Sequence, residues 1–135
     1  MKNLPSLPAR IAATWCTLLT LICLTGAPAA TPAPPPPPTA EIEALLRFVA
    51  ALDGATFIRN GDAHSPKEAE AHLRLKWGQQ KKDIRSAEDF IRLCAAKSSL
   101  SGKPYSIKFK DGHEEEAAVV LSRQLKIIRT VPPSP

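Results

Sequence analysis

Ile42, Leu45, Leu46, Val49 and Leu52 recur at intervals of three and four, which lines one face of a helix, so the spacing predicts an amphipathic helix from Thr39 to Asp53. Thr39 is the expected N-cap, Glu41 and Glu43 fall in the first turn where the helix dipole favours acids, and Gly54 is the stop. Next, Phe57-Ile58-Arg59 and Asp62-Ala63-His64 flank Asn60-Gly61, a pair that readily takes the two left-handed conformations of a type I′ turn. That predicts a short hairpin.

Ser65-Pro66-Lys67-Glu68 opens a second helix, with Ser65 as cap, Pro66 at the first helical position and Glu68 three residues after the cap. Ala69, Leu73 and Trp77 form its apolar stripe, and the pattern runs to about Lys82. A second cap, Ser86, with Glu88 and Asp89 after it, starts a third helix that turns Phe90, Ile91 and Cys94 inward. Tyr105, Ile107 and Phe109 alternate with Ser106, Lys108 and Lys110, the pattern of a half-buried strand. After Asp111-Gly112, the run Ala117, Val120, Leu121, Leu125 and Ile128 marks a last helix, with Glu114-Glu115-Glu116 as its acidic start. The expected fold is α+β, mostly α. It has about four helices, a short hairpin from Phe57 to His64, and one further strand from Tyr105 to Lys110.

The ends of the chain follow different patterns. Lys2 and Arg10 precede the apolar stretch Ile11 to Leu24, and Gly26-Ala27-Pro28-Ala29-Ala30 follows it. This is the three-part layout of a secretory signal peptide, residues 1–29, with Ala27 and Ala29 as the small residues before the cut. This stretch of fourteen residues falls short of the roughly 20 that span a bilayer, so no stable membrane insertion is expected after cleavage. Pro28 to Pro38 holds seven of the 14 prolines, which makes 30–38 a polyproline-type linker. The domain is expected over 39–130, and Val131-Pro132-Pro133-Ser134-Pro135 as a disordered tail.

Cleavage changes the composition that matters. Cys16 and Cys23 leave with the signal, so Cys94 stays alone and has no partner for an intramolecular disulfide; its helix position predicts a buried, inert thiol. Losing Lys2 and Arg10 leaves 16 Lys/Arg against 13 Asp/Glu, a net charge of +3. A mild and scattered excess of this kind does not argue for nucleic acid. The signal itself implies export.

Five blocks then occur in order: Phe57 to Gly61, Glu68-Ala69, His72-Leu73-Arg74 with Lys76, Ala87 to Ile91, and Ser98 to Tyr105. Together they resemble the YfeK-like family of small exported bacterial proteins, a domain of unknown function, over about Glu41 to Ile128. The resemblance implies a bacterial periplasmic protein and carries no activity with it.

Several of these blocks are polar where a core does not require it. Glu68, His72 and Lys76 are spaced by four along one helix face, and Arg59 leaves the hairpin just upstream. Ser98, Ser99, Ser101 and Gly102 form a loop whose hydroxyls and N–H groups suit an anion. Arg59, His72, Lys76, Ser98, Ser99 and Ser101 are therefore the candidate anion-binding set, for a carboxylate or phosphate. The simpler expectation is a structural network tying hairpin, helix and loop together, with the Arg59 guanidinium bidentate to Glu88 or Asp89.

Other chemistry is thinly supported. His64, His72 and His113 lack metal-ligand spacing, and there is no phosphate-loop or dinucleotide fingerprint, so no metal or cofactor is expected. A small periplasmic hydrolase would need His72 beside a serine of the Ser98–Ser101 loop, without any Gly-x-Ser-x-Gly motif to support it. The sequence reads first as a non-enzymatic binding or interaction module, with an envelope protein or a small anionic ligand as its partner. N-terminal sequencing of protein recovered from the periplasm is expected to begin at Ala30. An intact Met1 on a membrane-bound species would overturn the cleaved-signal reading.

Overall fold

The computed structural model describes residues 37–131. The predicted signal peptide, most of the linker and residues 132–135 lie outside the described residues. Four helices and four strands follow in the order α1 (Pro38–Ala50), β1 (Thr56–Arg59), β2 (Asp62–His64), α2 (Pro66–Gln79), α3 (Ala87–Phe90), β3 (Ser106–Lys108), β4 (Glu114–Glu116) and α4 (Ala117–Thr130). A π-helical turn, Ile91–Ala95, continues α3. The mostly helical α+β expectation holds.

α1 starts earlier than its pattern suggested. Pro38 sits at its first position, and the extended Pro37 carbonyl accepts from the Ala40 and Glu41 N–H groups. A proline ring presets the helical φ and lacks only an N–H that would be unpaired anyway, so the proline run feeds straight into the helix. Thr39 is inside the helix and caps nothing. Ile42, Leu45, Leu46 and Val49 are buried as their spacing requires. Each such side chain contributes about 1.5–3 kcal/mol on leaving water. Helix geometry ends at Ala50, and the chain turns through Gly54 at φ +78°, a conformation glycine takes without strain.

The hairpin is present, with Asn60 at φ 58° and Gly61 at φ 95°. It does not stand alone. The sheet order is β2-β1-β3-β4, antiparallel throughout, with Phe57 opposite both His64 and Ile107. Phe57 and Ile107 point into the helical layer, while Thr56, Ile58 and Lys108 alternate to the other face.

Glu114–Glu116 corrects the sequence reading. It is a strand paired to Ser106–Lys108, not the acidic start of α4. The polar stretch has no apolar periodicity to give it away, and only the facing backbone of β3 makes it a strand.

α2 carries the predicted capping box in full: Glu68 N–H donates to the Ser65 hydroxyl and Ser65 N–H to the Glu68 carboxylate. It ends at Gln79, and the following turn holds Lys81 and Lys82. Ser86 caps α3 by accepting from the Asp89 N–H. At the far end, Arg129 of α4 reaches Glu41 of α1 with two bonds of 2.8 and 3.0 Å and Glu88 of α3 with one of 2.5 Å. Glu41 is only 4% exposed. A carboxylate that far from water needs this paired fork, so Arg129 ties three helix ends together.

Cys94 is fully buried in the π turn, beside a core that includes Phe90 and Ala95. Burial pushes its thiol pKa up, away from the reactive thiolate. A thiol reagent is expected to label Cys94 slowly in the native protein and readily in denaturant. Cys94→Ser should destabilise by about 1–3 kcal/mol, because the hydroxyl has no partner there. Equal labelling rates in both states would contradict the burial.

Candidate functional site

Strand alternation starts the site. Phe57 and Arg59 share the helix-facing side of β1, and Arg59 is its last residue, where hydrophobic cover ends. Ile58 pairs with Ser106, so the same register brings Arg59 across from Tyr105. On α2, Ala69 and Leu73 are buried against the core, and His72 and Lys76 continue the stripe toward the same end. The loop after the π turn supplies the third wall.

Arg59, His72, Lys76, Ser98 and Ser99 thereby line one groove, with Tyr105. Its volume is about 380 Å³. Five of the six residues singled out by sequence meet there. Ser101 does not line it; its hydroxyl donates to the Asn60 side chain at 2.5 Å and so pins the serine loop to the hairpin turn. Asn60 thus serves both the turn and the loop. The loop donors are also fewer than expected. Ser98, 4% exposed, turns its hydroxyl inward to accept from the Leu100 and Ser101 N–H groups.

The expected pairing of Arg59 with Glu88 or Asp89 is not made. Glu88 is held by Arg129 and Asp89 by Arg92. Among the described residues the arginine–carboxylate pairs involve Arg74, Arg92, Arg123 and Arg129, so Arg59 has none. The reason is distance along the fold: α3 lies toward Arg129 and α1, whereas β1 ends beside α2. Arg74, from the same sequence block as His72, instead bridges Glu43 of α1 and Glu70.

Lys76 is the unusual member. It is 5% exposed, its Nζ donates to the Lys97 carbonyl at 3.1 Å, and it lies 5.2 Å from the centre of the Tyr105 ring. The π face and one carbonyl partly replace water. No carboxylate among the described residues pairs with it, and burial, with Arg59 nearby, pulls its pKa below the usual lysine value. The His72 Nε2 lies 3.3 Å from the Tyr105 hydroxyl, with the rings edge to face. Burial first, then Arg59, Lys76 and His64, lower the His72 pKa, so its ring is neutral at pH 7. No serine hydroxyl is bonded to His72 among the described residues, which leaves the Ser–His arrangement of a hydrolase without a contact.

Asn60, Gln79, Leu100 and Tyr105 complete the groove and were not singled out as site residues from the sequence. Gln79 carried a signal, since it follows Lys76 by three on the same helix face. A second, much smaller cavity of about 40 Å³ shares Arg59, His72 and Tyr105 with the groove and is otherwise walled mainly by apolar side chains. His64 borders it too, and its Nε2 is buried without a hydrogen-bond partner among the described residues. No group of three or more metal-ligating side chains occurs among the described residues.

A family model for a family of unknown function, DUF5329, matches residues 36–129, which contain the whole groove. The uncharacterised protein YfeK of Salmonella typhimurium is 50% identical over 66 residues, covering 49% of this chain and 55% of that protein. The match thus spans about half the length of that relative. No solved structure matches the chain.

The titration of His72 tests the electrostatics of the groove. By NMR its midpoint should fall below the ordinary histidine value near 6.5, while that of His113, held by Asp111, should lie above it. Because folding lowers the His72 pKa, the unfolded chain binds more protons between the two midpoints. This group's contribution is therefore complete above the unfolded value and is lost as pH falls through the folded one. His72→Gln should flatten that part of the stability profile. A His72 midpoint at or above 6.5 would show that the ring is neither buried nor beside the two cations.

Proposed function

We propose, for a chain that belongs to the DUF5329 family of unknown function, that the groove binds a small anion, a carboxylate or phosphate, and that the protein is a periplasmic binding module. One observation carries this reading. Two cationic side chains, one of them almost wholly buried, face a groove that has no carboxylate on its wall.

A buried ammonium without a counter-ion costs stability, and proteins keep such groups mainly where a ligand uses them. Arg59 offers a planar fork for a carboxylate or phosphate, Lys76 a point charge, and Ser99 an exposed hydroxyl. The signal-like segment at the start of the chain supports the periplasmic assignment. The scattered positive charge gives no support to a nucleic-acid partner, and the partner proposed is a small anionic ligand, or an envelope protein presenting one.

Phosphate or a dicarboxylate should raise the melting temperature of the wild-type protein by several degrees at about ten times its Kd, since a ligand that binds only the folded state stabilises it by mass action. Arg59→Gln and Lys76→Met should both abolish that shift. Lys76→Met should in addition raise the melting temperature without anion, because it removes an uncompensated buried charge. Equal anion shifts in wild type and both variants would defeat the proposal. So would a marked loss of stability in Lys76→Met, which would make the ammonium a structural group.

A further inference from the structure

Resting on the anion reading above, we infer that the ligand is a monocarboxylate bearing a short apolar chain, its carboxylate on Arg59 and Lys76 and its chain in the small cavity that adjoins the groove.

Two spaces meet at this end of the molecule, and they differ in chemistry. The groove is polar and cationic. The smaller cavity is walled chiefly by carbon, from residues that include Phe57, Ala69, Leu73, Ala117 and Leu121; Glu68 is also on its wall, with its carboxylate bonded to the Ser65 N–H and hydroxyl. Arg59, His72 and Tyr105 border both, so a ligand held by Arg59 has the apolar space within reach. Inorganic phosphate satisfies only the first space. A carboxylate with a hydrocarbon tail satisfies both, because the charge stays with the cations while the tail leaves water.

Volume sets the length of the tail. At 40 Å³ the cavity holds about three carbon-sized groups, taking ~10–15 Å³ as what one water-sized group needs. The neutral His72 ring and the Tyr105 hydroxyl border both spaces, and neither carries a charge. Two sources present this chemistry: a free short-chain acid, and the C-terminal residue of a peptide with a small apolar side chain.

Calorimetric titration of the purified protein with acetate, propionate, butyrate, pentanoate and hexanoate tests the inference. Affinity should rise about fourfold for each carbon added up to butyrate, the gain expected for burying one methylene, and then level off or fall. Ala69→Leu, which fills the cavity from α2, should reduce butyrate to the affinity of acetate. If that variant does not fold, Ala117→Val fills the same space from α4. N-acetyl-Ala-Ala binding more tightly than propionate assigns the peptide source, and weaker binding assigns the free acid. A flat series, with acetate or phosphate still bound, overturns this inference and leaves the anion groove standing. A chain-length gain that survives both cavity-filling variants overturns it as well. No binding of phosphate or any carboxylate overturns the groove reading together with it.

Discussion

Tyr105 is the point at which the parts of this small domain are joined. Its N–H donates to the Ala96 carbonyl at the end of the π turn, and its carbonyl accepts from the Ala117 N–H at the start of α4. Its hydroxyl meets His72 of α2, and its ring lies beside the Lys76 ammonium. One residue of the strand approach therefore fixes the distance between the sheet, α2, the π turn and α4. Burial raises the pKa of its hydroxyl against the opposing influence of Arg59 and Ser98, so it remains a neutral hydrogen-bonding group at physiological pH. Groove and cavity share Tyr105 because it stands where those elements converge.

The two ends of the helical layer handle charge differently. At the Arg129 end the buried Glu41 has a bidentate partner, and Glu88 shares the same guanidinium. Those contacts stabilise helix ends and leave nothing for a ligand. At the groove end Arg59 and Lys76 make no ion pair among the described residues, and Lys76 relies on one carbonyl and an aromatic face. A domain of this size has modest total stability, so an incompletely compensated buried ammonium is a significant cost in it. The proposed anion site rests on this contrast between a closed ionic cluster and an open one.

Local signals in the chain were reliable where short-range physics decides the outcome. The Ser65–Glu68 capping box, the left-handed Asn60-Gly61 turn, and the faces of α1 and α4 all follow from neighbours within a turn or two. The five ordered blocks were sufficient to name the family, and five of the six proposed site residues share a groove. The failures concern long-range partners. Glu114–Glu116 is a strand only because β3 lies beside it, and Arg59 misses Glu88 because Arg129 holds that carboxylate.

Sequence by itself determined which side chains leave water and which residues must turn, because apolar spacing, caps and left-handed positions act over a few residues. It also determined that Arg59, His72 and Lys76 lie at polar positions beside a core. Only the tertiary structure decided their partners. Whether Arg59 meets Glu88 or stands free, and whether Ser101 faces a ligand or Asn60, depends on how elements distant in the chain are packed together. Ion pairs and hydrogen bonds need alignment within about an ångström, and hydrophobic periodicity carries no information at that scale.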